Sequence, residues 1–191
     1  NGHEVEIPRY DFRTGSRKPH GRMLKLGDNQ ILTIEGIHAL NPKLTNLLSD
    51  EDKFRIYIAP LTQLNMHNHD RISTSDTRII RRIVRDSMFR GYSATETLAR
   101  WPSIRLGEFK NIYPTQEEAD VVFNSALFYE LALLKRYAER ELLKVERDSP
   151  VYPEARRLLK FLSYFLPVDA EEVPSTSLLR EFIGGSTFRY H

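Results

Sequence analysis

A chain of 191 residues with 40% hydrophobic content carries enough apolar material for one packed domain, with a small helical appendage at one end. It has no Cys and no apolar run near the roughly 20 residues that a membrane span needs, so a disulfide scaffold and a helical membrane protein are excluded and a cytoplasmic location is expected. Lys plus Arg number 28 against 26 for Asp plus Glu, and a net charge of +2 gives little general attraction for nucleic acid; any anion site must come from local clustering.

The chain opens Asn1, Gly2, His3 without an initiator Met, an opening compatible with a piece of a longer protein. Residues 5–30 carry Gly15, Gly21 and Gly27 with Pro8 and Pro19, which predicts irregular, solvent-exposed chain. Ile31, Leu32, Thr33 and Ile34 then form a short apolar run ending at Glu35 and Gly36, the pattern of a buried parallel strand that stops at a functional edge. Residues 54–59 and 121–123 give two more such runs, the latter flanked by Asp120 and Asn124. Helical spacing is predicted near 43–49, 76–90, 93–100, 125–146 and 153–165, with a short helix near 176–183. In the helix at 125–146, Leu127, Leu131, Leu134, Ala138 and Leu142 share one face, which is core packing. Gly184 and Gly185 read as a helix stop. Strands alternating with helices favour an α/β domain with a parallel sheet.

The most informative stretch runs from Asp76 to Asp86. At about 100° per residue, Arg78, Arg81, Arg82 and Arg85 fall in one sector and Ile79, Ile80, Ile83 and Val84 in the opposite one, so the helix is expected to pack by its Ile face and present guanidinium groups. Like charges three or four residues apart repel unless an anion neutralises them, and the planar fork of Arg grips phosphate oxygens bidentately. A solvated basic face served by Asp76 and Asp86 is the plainer alternative; the use of Arg to the exclusion of Lys, continued by Arg90, puts phosphate binding ahead. Gly91, Tyr92 and Ser93 lead into a segment with Arg100, Trp101, Pro102, Arg105 and Glu108, the composition of a lid hinged at a glycine. The His67-Asn68-His69-Asp70 run fits no standard metal spacing and is expected to be a polar loop.

Four motifs resemble one family in sequence order. Ile7-Pro8-Arg9-Tyr10-Asp11-Phe12, with Ser16-Arg17, resembles the substrate loop of uridine kinases. Ile34-Glu35-Gly36-Ile37 resembles their acidic strand end, Asp76 to Asp86 their arginine helix, and Ile112-Tyr113-Pro114 with Ala119-Asp120-Val121 the segment after their lid. Thr62-Gln63-Leu64-Asn65, Phe89-Arg90-Gly91-Tyr92-Ser93 and Asn124-Ser125-Ala126-Leu127 further resemble a bacterial subgroup with a threonyl-tRNA synthetase-like N-terminal region. The resemblance, to the uridine kinase and phosphoribulokinase family of P-loop kinases, implies ATP and Mg²⁺ as cofactors. It implies that Tyr10 and Phe12 help form the acceptor pocket while Asp11 and Arg17 hold that loop. Glu35 would lie near the metal, Arg82 would face the acceptor, and Arg85 and Arg90 would close on the ATP phosphates.

There is no GxxxxGK followed by Ser or Thr in the chain, so the fold implied is a partial P-loop kinase domain lacking the P-loop strand and helix, with the catalytic base also expected upstream of residue 1. Residues 1–148 are assigned to that domain, with a lid about 86–112, and 149–191 to a helical extension packed on it. The function implied is ATP-dependent phosphorylation of uridine or a related nucleoside by the parent protein, the chain alone being inactive. Gly15 stands where uridine kinases commonly place a His, which keeps a sugar-phosphate acceptor open, as in phosphoribulokinases. A non-catalytic nucleotide- or nucleic-acid-binding module is the other alternative, disfavoured by the retention of Glu35. The partners implied are a small nucleoside or phosphorylated substrate and the remaining N-terminal part of the same protein; a homo-oligomer is left open, and neither membrane nor nucleic acid is expected.

Overall fold

The computed structural model describes residues 3–11, 16–67 and 70–188, and the chain divides into two units, Asn1–Ala39 and Leu40–His191. In the first, the segment predicted to be irregular forms two short antiparallel pairs. β1 (Val5–Ile7) pairs with β4 (Arg22–Leu24), and within that pair β2 (Tyr10–Asp11) joins β3 (Ser16–Arg17), with Tyr10 opposite Arg17. Pro8, Pro19 and Gly21 fall between the strands, which is why breakers did not prevent the ladders. The Gly21 N–H donates to the Glu6 carboxylate at 2.6 Å, and a Cβ at Gly21 would stand 2.2 Å from the Ile7 carbonyl oxygen, so only glycine fits there.

The strand predicted at 30–35 is absent. Ile31 is 95% exposed, and Leu32 and Ile34 are exposed with it. An extended run holds as a strand only when a neighbour takes its N–H and C=O groups, and none of the described strands pairs with this one. Glu35 therefore lies in exposed, irregular chain before Gly36.

The second unit is mixed α/β. Its parallel pair, β5 (Ile56–Ala59) and β8 (Val121–Asn124), aligns Ile56 with Val121 and Ala59 with Asn124. Side chains pin both ends: the Arg55 N–H donates to Asp120 Oδ2 at 2.6 Å, and the Asn124 amide exchanges two hydrogen bonds with the Leu61 backbone at 2.8 and 2.9 Å. β6 (Asn65–His67) and β7 (Asp70–Arg71) form a short antiparallel pair, so the His-rich run spans its turn; Asn68 and His69 lie outside the described residues. Among the described residues no cluster of His, Asp or Glu could hold a metal by itself.

The helices carry the core. α1 (Thr74–Arg85) buries Thr77, Ile79, Ile80, Ile83 and Val84 completely or nearly so. It packs on α2 (Ala94–Asn111), α3 (Glu130–Leu142) and α5 (Arg180–Ile183), while α4 (Tyr152–Leu162) packs on α3. Leu131, Leu134, Ala138, Leu142, Leu158, Leu162 and Leu179 complete this core, as the helical spacing predicts. Gly184 ends α5 at φ 82°, the stop expected of it.

Three helices depart from expectation. α3 starts at Glu130 rather than near 125, because Asn124 and Ser125 are engaged elsewhere, Asn124 with Leu61 and Ser125 with Arg81. α2 starts in a capping box of Ser93 and Glu96 and runs 18 residues straight through Pro102. Its packing on α1 on both sides of Pro102, through Leu98 and the buried Glu108, holds what the proline would otherwise break. The helix predicted at 43–49 is reduced to 3-10 turns at Pro42–Leu44 and Asp50–Asp52, capped by the Asn41 and Ser49 side chains. Leu47, 95% exposed, finds nothing to pack on. No helix among the described residues is long and apolar enough to cross a membrane.

Candidate functional site

The four-arginine face of α1 divides when the helix is packed. Arg81, at the border of the apolar sector, is buried: its Nε donates to Glu130 at 3.1 Å, its other nitrogens donate to Ser125 Oγ at 3.2 Å and Ser125 O at 2.6 Å, and its guanidinium lies 5.2 Å over the Phe182 ring. The expectation that Arg81 is presented outward is corrected accordingly. Periodicity places a residue on a helix but does not say how wide the covered sector becomes once α3 and α5 arrive. Burial raises the Glu130 carboxyl pKa, against which Arg81 pulls it down. Arg78, also on the exposed flank, is paired with the buried Glu108 of α2.

Arg82, Arg85 and Arg90 remain part-exposed at the C-terminal end of the helix. Here α1 passes into a π-helical turn, Asp86–Arg90, closed by Gly91 at φ 72°, a left-handed conformation that favours glycine. The turn sinks Asp86 to 2% exposure between the arginines: Arg82 Nε lies 3.3 Å from one carboxylate oxygen and Arg90 3.3 Å from the other, while Thr97 Oγ1 donates to Asp86 at 3.3 Å. One carboxylate thus serves two guanidiniums. Arg85 faces Glu181 of α5 at 3.6 Å, too long for a hydrogen bond, and its buried Nε has no hydrogen-bond partner among the described residues. Burial, then the nearby Arg90, lowers the Arg85 pKa. Arg85, partly desolvated and facing its carboxylate only at 3.6 Å, has the chemistry to donate to an oxyanion. Asp76, the other carboxylate of the plainer reading, is bound instead to Arg157 of α4 at 2.7 and 2.9 Å.

The remaining candidates belong to the first unit. Tyr10 is 55% exposed on β2; Asp11 is half-buried with Lys18 Nζ 3.8 Å away; Arg17 lines a shallow hollow of about 290 Å³ with Glu6, Pro8 and Lys18. Phe12 and Gly15 lie outside the described residues. Glu35 is a single exposed carboxylate. Mg²⁺ commonly takes one or two carboxylates and completes its shell with water and substrate phosphates, so a lone Glu35 fits one ligand position and no more.

The sequence profile of the Phosphoribulokinase / Uridine kinase family matches residues 1–129. The chain belongs to this family. A protein named uridine kinase from Staphylococcus haemolyticus (strain JCSC1435) is 28% identical over 123 residues, covering 64% of this chain and 51% of the relative. One of the same name from Staphylococcus aureus (strain JH9) is 30% identical over the same length and shares. The chain thus spans about half the length of the curated relatives it matches. No solved structure matches it. The family match includes the arginine helix, the π turn and α2, and stops one residue before α3; Glu130, Phe182 and Glu181 lie beyond it. Sequence reasoning did not find Glu108, Glu130 or Glu181 as partners of the arginines, and no local signal marks them: each is distant in sequence from the arginine it meets.

Proposed function

We propose that this chain is part of a P-loop kinase that transfers the terminal phosphoryl group of ATP to a nucleoside, uridine or a close relative, with the phosphate-cradling loop supplied from outside these 191 residues. The observation that carries the proposal is the gathering of three arginines at one helix end, where Arg82 and Arg90 share the buried Asp86 and Arg85 meets its nearest carboxylate, Glu181, only at 3.6 Å. Phosphoryl transfer depends on positioning and on charge placed around the equatorial oxygens, and part-exposed guanidiniums on a rigid helix end supply both. Arg82 would face the acceptor side, and Arg85 and Arg90 the ATP phosphates. Tyr10, Asp11, Phe12 and Arg17 would form the acceptor loop. Mg²⁺, carried mainly by phosphates and water with Glu35 beside it, would neutralise charge on the donor. The segment about 86–112 would close as a lid from Gly91, and residues 149–191 would be an extension on the kinase domain.

The exposed apolar side chains of the parallel pair, Ile56, Ile58, Val121 and Phe123, support the view that further parts of the kinase fold cover the sheet, since parallel sheets are ordinarily covered on both faces. Two measurements test the proposal. The full-length protein, assayed with ATP against a nucleoside panel, should turn over at least one nucleoside; a panel without turnover defeats it. This chain should bind inorganic phosphate, and Arg82→Ala with Arg85→Ala should weaken that binding about tenfold or more, the scale of lost charge-assisted hydrogen bonds. Equal affinity in the double variant would remove the arginines from the site.

A further inference from the structure

We infer that Glu181, on the C-terminal helix, is a built-in counter-ion that competes with phosphate for Arg85 and so sets the anion affinity of the site. The inference rests on the proposal that Arg82, Arg85 and Arg90 bind phosphate. Its own support is geometric. α5 lies outside the 129 residues matched by the family, yet it packs on α1 with Leu179, Phe182 and Ile183 buried. Phe182 stands under the Arg81 guanidinium, and Arg180 donates to the Ala170 and Val173 carbonyls at 2.8 and 2.5 Å, so the short helix is held from both sides. That anchoring delivers Glu181 to Arg85.

The contact has the character of a placeholder. At 3.6 Å Glu181 offsets charge without forming a hydrogen bond, and Arg85 Nε stays unpartnered beside it. Asp86, the other nearby carboxylate, is shared between Arg82 and Arg90. Phosphate offers three or more oxygens in the geometry that a guanidinium fork fits, so it would take Arg85 from a carboxylate that comes no nearer than 3.6 Å. Glu181 is 36% exposed at its side chain and can swing to water when displaced. The arrangement keeps a desolvated arginine cluster tolerable when no substrate is bound and raises the phosphate concentration needed to fill it.

The test is a calorimetric titration of the 191-residue chain with inorganic phosphate at low ionic strength, comparing wild type, Glu181→Gln, Arg85→Gln, the control Glu172→Gln and the double variant Glu181→Gln with Arg85→Gln. Glu181→Gln should bind phosphate about two- to fivefold more tightly, the scale of a partly exposed ion pair, and Glu172→Gln should match wild type. Adding Arg85→Gln should abolish the gain. Unchanged or weaker binding by Glu181→Gln overturns the inference while leaving the arginine site standing, provided that wild type binds and Arg85→Gln weakens it. Absence of binding by every variant overturns the arginine site and this inference together. A gain that survives Arg85→Gln would show that Glu181 acts through general charge and not on Arg85, which also overturns it.

Discussion

Replacing Arg81 by Met removes the cation from a deeply buried ion pair of the second unit while keeping most of its length. Glu130, 2% exposed, then loses its partner, Ser125 loses two donors, and Phe182 loses the charge above its ring. Breaking a buried pair from one side costs about 3–5 kcal/mol, because the remaining charge stays desolvated. In wild type, burial already raises the Glu130 pKa above its ordinary 4.5, and Arg81 is what opposes that rise. Without Arg81 the folded-state pKa climbs further. A carboxyl whose folded pKa exceeds its unfolded one contributes stability that is fully present below the unfolded value and is lost as pH rises through the folded value. The cost of Arg81→Met should therefore be smallest at acid pH and grow as pH rises above the ordinary Glu value, because ionising Glu130 becomes harder still without Arg81. Urea denaturation of wild type and variant across a pH series measures it. Adding Glu130→Leu should recover most of the loss and flatten the pH dependence. A cost below about 1 kcal/mol at pH 7, or one that ignores pH, would refute the account of the pair as a desolvated couple.

Gly91→Ala should destabilise by about 1–2 kcal/mol in urea denaturation through its left-handed φ alone, because an added Cβ meets nothing within 4 Å; Gly91→Asn should cost less. Leu134→Ala, at a fully buried position, should cost about 2–5 kcal/mol by the same measurement. Arg157 bridges Asp76 of α1 and Glu154 of its own helix and lowers the Glu154 pKa, an effect that stabilises above pH 4.5 and disappears as pH falls through the folded value. Arg157→Ala should thus lessen the acid-induced loss of stability, and its cost near neutral pH should shrink in high salt, as thermal melts at two ionic strengths would show.

The sequence was most legible where a pattern answers to one neighbour. The Ile face of α1 and the Leu stripes of α3 and α4 follow from spacing, because each needs only a generic apolar surface opposite; the runs at 54–59 and 121–123 do form strands, but their apolar side chains are largely exposed rather than buried as expected. It was least legible where a partner decides. Ile31 to Ile34 has the composition of a strand but no neighbour to pair with, and residues 43–49 have helical spacing but nothing to bury against. Pro102 would end an isolated helix, yet α2 continues because α1 supports it on both sides. In the candidate site, the presence of an arginine cluster was readable from Arg78 to Arg90, whereas the division of labour within it was not. Whether an arginine is consumed by the fold, as Arg81 is by Glu130, or left for a ligand depends on carboxylates 30 to 96 positions away in the chain.

The parallel pair has a practical outcome for anyone handling this polypeptide. A ribbon two strands wide, greasy on its surface through Ile58, Val122 and Phe123 and without further strands along its rims among the described residues, is a template for backbone docking. Purified by itself, the chain should self-associate as it is concentrated, and Lys placed at Ile58 or Val122 should keep it dispersed.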